Sequence, residues 1–266
     1  MLGACLTEAV RARGTGVDMQ RPESSPEKGA EILTSLVPPE LWSQYASVFA
    51  EGAKRGIRFV VGGGLAVSVY SGHTRRYTKD MDLFVREEDS GALLEMLHGL
   101  GFKEYTEFPY DRTWSYRAIR HGAIVDILWM TLNGKTAVDE TWLTKGWQFS
   151  VRESRIRLIP VEELIVAKLY ILKRDRTDWP DVMNLLYAMG SELDWARMFE
   201  VLGDDLLLLG GVMNVFRWLC PGKAYLLPAH IWTSLGLLPP VNSDLQVDRG
   251  RVALLMAEQL FPGEKS

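Results

Sequence analysis

Apolar and polar positions along the chain change character at Pro39. Before it, residues 1–38 are rich in Gly, Pro, Ser and charge with little apolar periodicity, a pattern that predicts a mobile tail. Beyond it, Leu41, Trp42, Tyr45, Val48 and Phe49 recur at helical spacing, predicting a helix that closes near Gly52–Gly56. Ile57–Val61 is a short β-rich run stopped by Gly62, Gly63 and Gly64, and Leu65–Tyr70 reads as a helix starting directly off those glycines. Asp80–Val85 has the composition of a second strand, and Gly91–Leu100 that of a helix closed by Gly101. Two or three more strands are expected across Lys103–Met130, the clearest being Ala123–Met130, with another through Gln148–Leu158. After Pro160 the pattern turns helical: Val161–Arg174, Trp179–Met189 and an apolar C-terminal half.

No internal repeat is visible. The expected fold is α+β: a mixed sheet with flanking helices over residues 39–158, followed by a mostly helical subdomain over 159–266. Two packed subdomains would leave a cleft between them, a common place for a substrate.

Composition narrows the class. The chain has 266 residues, 47% hydrophobic and 24% charged, ordinary values for a globular protein with a sizeable core. No apolar run is long enough to span a bilayer, and the N-terminus lacks the apolar stretch of a secretory signal. Cys5 and Cys220 make no disulfide framework and lie in no metal-ligand spacing, so a reducing cytoplasm is the expected setting. A net charge of −4 argues against coating nucleic acid by bulk electrostatics. Local basic paths remain in Arg152–Arg157 and in Lys168, Lys173, Arg174 and Arg176, which read equally well as solvated faces.

The strongest chemical signal is Asp80 and Asp82 inside an apolar strand. Side chains two apart on a strand share a face. Two adjacent carboxylates repel and are costly to bury unless positive charge lies between them. Hard divalent cations such as Mg²⁺ prefer such oxygens and retain substrate phosphates as further ligands. Asp126 sits in a like setting, within Val125–Trp129. Three acids on adjacent strands suit two metal ions and in-line displacement at phosphorus. The bland alternative for the pair alone is a strand end with solvated acids. Gly62, Gly63 and Gly64, at a strand-to-helix junction, would let the backbone approach a phosphate, although tight turns need glycine anyway. They form neither a P-loop nor a dinucleotide fingerprint.

Strand, glycine turn, helix, strand with two acids, then strand with a third: this ordered set resembles the polymerase-β-type nucleotidyltransferase superfamily. More narrowly, Val61–Val67 (VGGGLAV), Arg75 and Arg76, and Thr78–Val85 (TKDMDLFV) resemble the signature of small bacterial nucleotidyltransferases that include abortive-infection and toxin–antitoxin enzymes. The resemblance covers roughly residues 57–188. Fifteen residues separate Gly64 from Asp80, a longer connection than it implies, which leaves His73 without a role.

The resemblance implies that Asp80 and Asp82 bind the metal carrying the triphosphate. Asp126 would join a second metal and help deprotonate the acceptor hydroxyl, and Gly62, Gly63 and Gly64 would hold phosphates. It implies Mg²⁺ or Mn²⁺, as two ions, with a nucleoside triphosphate (ATP among the candidates) as donor. Lys168, on a helix after Pro160, would meet the triphosphate as a point charge; the alternative is a snorkelling lysine beside an ion-pair network of Arg174, Arg176, Asp178 and Asp181. Arg76, with Arg75, would clamp phosphates or simply solvate a loop.

The four histidines, His73, His98, His121 and His230, lack ligand spacing. The apolar stretch Trp195–Leu238 is core by default, or a dimer contact or acceptor wall. The expected activity is transfer of a nucleoside monophosphate to an acceptor hydroxyl on tRNA, protein or a small molecule, with no membrane partner. A cognate partner protein or a homodimer is compatible with it. Two rivals are a non-catalytic binding or regulatory module of the same fold in a two-protein defence system, and a glycosyltransferase, which also uses paired aspartates.

Overall fold

Strict alternation in two short segments builds the centre of the sheet. In the computed structural model, which describes residues 25–72, 80–131, 134–255 and 260–261, β2 (Asp80–Phe84) lies parallel to β5 (Ala123–Leu128). Met81, Leu83, Val125 and Ile127 point to one side and are fully buried; the aspartates point to the other. Antiparallel β1 (Val60–Val61) flanks β2. On the far side β4 (Ser115–Arg120) pairs with β5 and β3 (Lys103–Glu104) with β4, giving the order β1-β2-β5-β4-β3.

Helix α2 (Pro39–Arg55) packs beneath the sheet with α4 (Glu87–Gly99). Its Tyr45 hydroxyl donates to the Ile124 carbonyl, and its Gln44 and Ser47 receive the Arg120 guanidinium. A hairpin of β6 (Gln148–Val151) and β7 (Ser154–Arg157) joins the β1 edge, where the Ile159 N–H donates to the Val61 carbonyl at 2.9 Å.

The helical part comprises α6 (Val161–Leu169), α7 (Trp179–Met189), α8 (Trp195–Leu202) and α9 (Leu206–Leu219), then the short α10 (Pro221–Tyr225), α11 (Ala229–Ser234) and α12 (Arg249–Leu254). Helix α3 (Gly63–Ser71) contacts both α6 and α7, so one continuous core runs from sheet to C-terminal helices. Arg197 on α8 reinforces that junction. It pairs with buried Glu163 of α6 and with Asp139, the N-cap of α5 (Glu140–Thr144), each at 2.9 Å. No helix among the described residues is long and apolar enough to cross a membrane.

Three expectations are corrected. Residues 26–36 are not tail: α1 (Pro26–Leu36) is capped by Ser25, begins on Pro26 and buries Ile32, Leu33 and Leu36, packing on α3 and β6. The helix expected to reach Arg174 ends at Leu169. There the Trp179 indole caps its final carbonyl, and residues 171–178 double back as a hairpin closed by Lys173 N–H to Arg176 O and Asp178 N–H to Ile171 O. Gln148–Leu158 is two strands rather than one, turned at Arg152 with φ +51°.

Candidate active site

Parallel pairing of β2 with β5 sets Asp82 directly across from Asp126, with Asp80 two positions away on the same face. Antiparallel pairing then sets Arg117 of β4 across from Asp126. The Arg117 guanidinium grips Asp126 with both arms: Nε to Oδ1 at 2.6 Å and Nη2 to Oδ2 at 2.5 Å. The same Nη2 lies 4.0 Å from Asp80 Oδ2.

The glycine turn is built around Asp82. Gly62 donates its N–H to the Asp82 carbonyl at 2.9 Å, and Gly63 turns left-handed at φ +59° to start α3. A Cβ on Gly63 would sit 1.6 Å from Asp82 Oδ2, and one on Gly62 would strike the Phe84 ring at 2.3 Å. Only glycine fits either place. The Ala66 N–H makes a backbone bond to Gly62 O, so the N–H groups of Gly63, Gly64 and Leu65 precede the helical ladder at its positive end.

Across from the acids, Lys168 is buried and its ammonium reaches Asp178 Oδ2 at 2.7 Å and Asp181 Oδ2 at 3.0 Å. Arg176, half exposed, binds both oxygens of Asp178. Burial works against the Asp178 charge, but Arg176 and Lys168 outweigh it and hold the carboxyl below its ordinary range. The positive charges of Lys168 and Arg176 pull the Asp82 carboxyl down, so both lie within electrostatic reach of it. Burial first, then the charges of Asp80 and Asp126, push the Asp82 carboxyl up to about 7 against that pull. Burial also raises Asp126, opposed by Arg117.

The structure thus brings together Gly62, Gly63, Asp80, Asp82 and Asp126, with Lys168 within electrostatic reach of Asp82. Arg76, together with Arg75 and His73, lies outside the described residues.

Residues 42–198, well over half of the chain, match the family described as nucleotidyl transferase of unknown function (DUF2204). The chain belongs to this nucleotidyltransferase family. No curated protein matches the sequence. Among solved structures the nucleotidyltransferase is similar to the antibiotic-resistance factor ANT(2'')-Ia, with TM-score 0.40 and 17% identity over 73% of this chain and 99% of that one. Lincomycin-bound lincosamide antibiotic adenylyltransferase LnuA gives 0.39 and 16%, over 54% and 94%. An antigenic nucleotidyltransferase-like protein from Paracoccidioides brasiliensis gives 0.39 and 13%, over 68% and 94%. These are distant likenesses, and the reading of the site rests on its own geometry.

Arg117 escapes a reading of the sequence that looks only for acids and glycines. Its signal was the turn: His121 at φ +47° and Gly122 at φ +81° form a two-residue hairpin loop, which fixes Arg117 opposite Asp126.

Two outcomes follow for the nucleotidyltransferase. Gly63→Ala should cost about 1–3 kcal/mol through backbone strain. By displacing the Asp82 carboxylate it should also slow the reaction roughly a hundredfold; melting curves and steady-state rates check both. The second concerns pH. An Asp82 that titrates at about 7 when folded, above its unfolded value, makes the folded chain bind more protons between about pH 4 and 7. Metal-free protein therefore loses stability as pH rises through that window. Asp82→Asn removes this loss and should melt roughly 5 °C above the wild type at pH 8 in EDTA, with the gap closing toward pH 4.

Proposed function

We propose that this nucleotidyltransferase moves a nucleoside monophosphate from a nucleoside triphosphate to an acceptor hydroxyl and releases pyrophosphate. The observation that carries the reading is the shared face of Asp80, Asp82 and Asp126, closed on one side by the start of α3 and within electrostatic reach of Lys168 and Arg176.

The residues present fit a divalent cation. Their donors are hard carboxylate oxygens, and burial first, then the charges of Asp80 and Asp126, push Asp82 up, a penalty that a cation would relieve. Asp80 and Asp82 would hold Mg²⁺ or Mn²⁺. When bound there, the ion supplies charge neutralisation for the donor's phosphates and the departing pyrophosphate.

The chain's own groups do the rest. The N–H groups of Gly63 and Gly64, with less from Gly62, receive phosphate oxygens at the positive end of α3. The Lys168 ammonium pairs with Asp178 and Asp181, and on this reading a further N–H would meet the triphosphate. Arg176 offers a second positive charge, and Arg76 would add another. Asp126, oriented by Arg117, takes the proton of the acceptor hydroxyl as its oxygen attacks the α-phosphorus. The bond from the α-phosphorus to the bridging oxygen breaks and pyrophosphate departs.

The acceptor class, an RNA end, a protein side chain or a small molecule, is read by labelling. Purified protein is incubated with each α-labelled NTP, Mg²⁺ or Mn²⁺ and an extract of total RNA, protein and small molecules. Label passing to one fraction, and lost in Asp80→Asn/Asp82→Asn, supports the reading and names the class. No label in any fraction with either metal would favour a binding module working with a cognate partner protein in the cytoplasm.

A further inference from the structure

The proposed chemistry leaves Arg117 with more to do than aim a carboxylate. Both oxygens of Asp126 are taken by one guanidinium, and the Asp126 side chain is only 13% exposed. The grip is set by the backbone. Both residues sit inside paired strands, four positions either side of a two-residue turn, so register alone holds them opposite each other. The same Nη2 lies within 4.0 Å of Asp80, between two of the three carboxylates. A cation shared by Asp82 and Asp126 would have to take an oxygen that Arg117 already binds. Among the described residues no group of three or more His, Cys, Asp or Glu side chains is placed to hold one ion.

We propose that Arg117 stands in the place of a second metal ion, so that the nucleotide-free protein takes a single divalent cation, on Asp80 and Asp82. Charge balance agrees. Three carboxylates, one guanidinium and one divalent cation sum to zero, whereas a second divalent ion would leave the empty site strongly positive. Arg117 acts through Asp126 and is a positioning residue. Bidentate geometry makes arginine, rather than lysine, the residue for holding a carboxylate in one orientation. This inference rests on the metal reading of Asp80 and Asp82 above.

Mn²⁺ titration of the full chain without nucleotide, followed by the electron paramagnetic resonance signal of free Mn²⁺, counts the sites. The wild type should bind one ion, and Asp82→Asn should bind it far more weakly. Asp126→Asn, an isosteric change, should keep one ion and weaken it only through the lost charge, far less than Asp82→Asn does, because Asp126 is not its ligand. Arg117→Met should bind a second ion through the freed Asp126, while Arg117→Lys, which keeps the charge, should return the count to one. Two ions on the wild type, a large loss of affinity in Asp126→Asn, or a single unchanged site in Arg117→Met would each overturn the inference. The metal reading beneath it stands in all three cases. A wild type that binds no Mn²⁺ at all would overturn both.

Discussion

Asp82→Asn should abolish nucleotidyl transfer, by roughly a thousandfold or more, while leaving a folded and somewhat more stable protein. The reasoning starts from position. Asp82 is the acid that faces Asp126 across the parallel pair, touches the Gly63 turn and feels Lys168 and Arg176, so every wall of the site meets at its carboxylate. An amide in the same shape keeps the strand and removes the charge. On the proposed reading it removes a cation ligand, and loss of metal-borne charge stabilisation is worth several kcal/mol of barrier, where each 1.4 kcal/mol is about tenfold in rate. The same substitution relieves repulsion from Asp80 and Asp126, so activity and stability move in opposite directions. A variant that lost activity by misfolding would lose both. Steady-state rates beside melting curves in EDTA separate the two cases.

Lys168→Met should produce the largest loss of stability, about 3–5 kcal/mol, because it strands buried carboxylates. The Lys168 side chain is 7% exposed, and its partners Asp178 and Asp181 are 1% and 11% exposed. Arg176 still pairs with Asp178 in the variant, which limits the deficit there. For a chain of this size the melting temperature should fall by roughly 10 °C. Adding Asp181→Asn to Lys168→Met should recover part of the loss, since it removes one of the two carboxylates that lose the ammonium; no recovery would mean that the ammonium acts through packing alone. The pH dependence has a definite sign. Asp178 is held below its unfolded value, so its contribution is present above about pH 4 and fades as the pH falls further. Lys168→Met should weaken that acid sensitivity.

Much of the architecture was legible because periodicity and punctuation agreed. Trp179–Met189 emerges with the bounds its pattern suggested, and the β2 and β5 strands are read from alternation around charged positions. α1 was missed because Gly, Pro and Ser dominate the preceding residues and mask Ile32, Leu33 and Leu36, which do follow helical spacing. The overlong helix after Pro160 fails for a tertiary reason. Asp178 is drawn back to Lys168, and that pair folds residues 171–178 into a hairpin that no local pattern announces.

The candidate site divides in the same way. Three aspartates in apolar strands draw attention from sequence because buried carboxylates are costly. Arg117 carries no such signal, being one arginine among several, and only the register set by His121 and Gly122 assigns it to Asp126. The sequence leaves Lys168 either as a charge turned to the substrate or as a snorkelling lysine beside a network of Arg174, Arg176, Asp178 and Asp181; its direct pairing with Asp178 and Asp181, ten and thirteen residues away, is beyond the reach of helical spacing.

The central claim is that the aspartate face transfers the α-phosphoryl group of a nucleoside triphosphate together with its nucleoside. Parallel reactions with α-labelled and γ-labelled NTP, in Mg²⁺ or Mn²⁺ and with the acceptor fraction that takes label, test it most directly. The account predicts α-label in the acceptor, γ-label in released pyrophosphate, and neither product from Asp80→Asn/Asp82→Asn. Label from the γ-position in the acceptor, or α-label transferred equally well by the double variant, would contradict it.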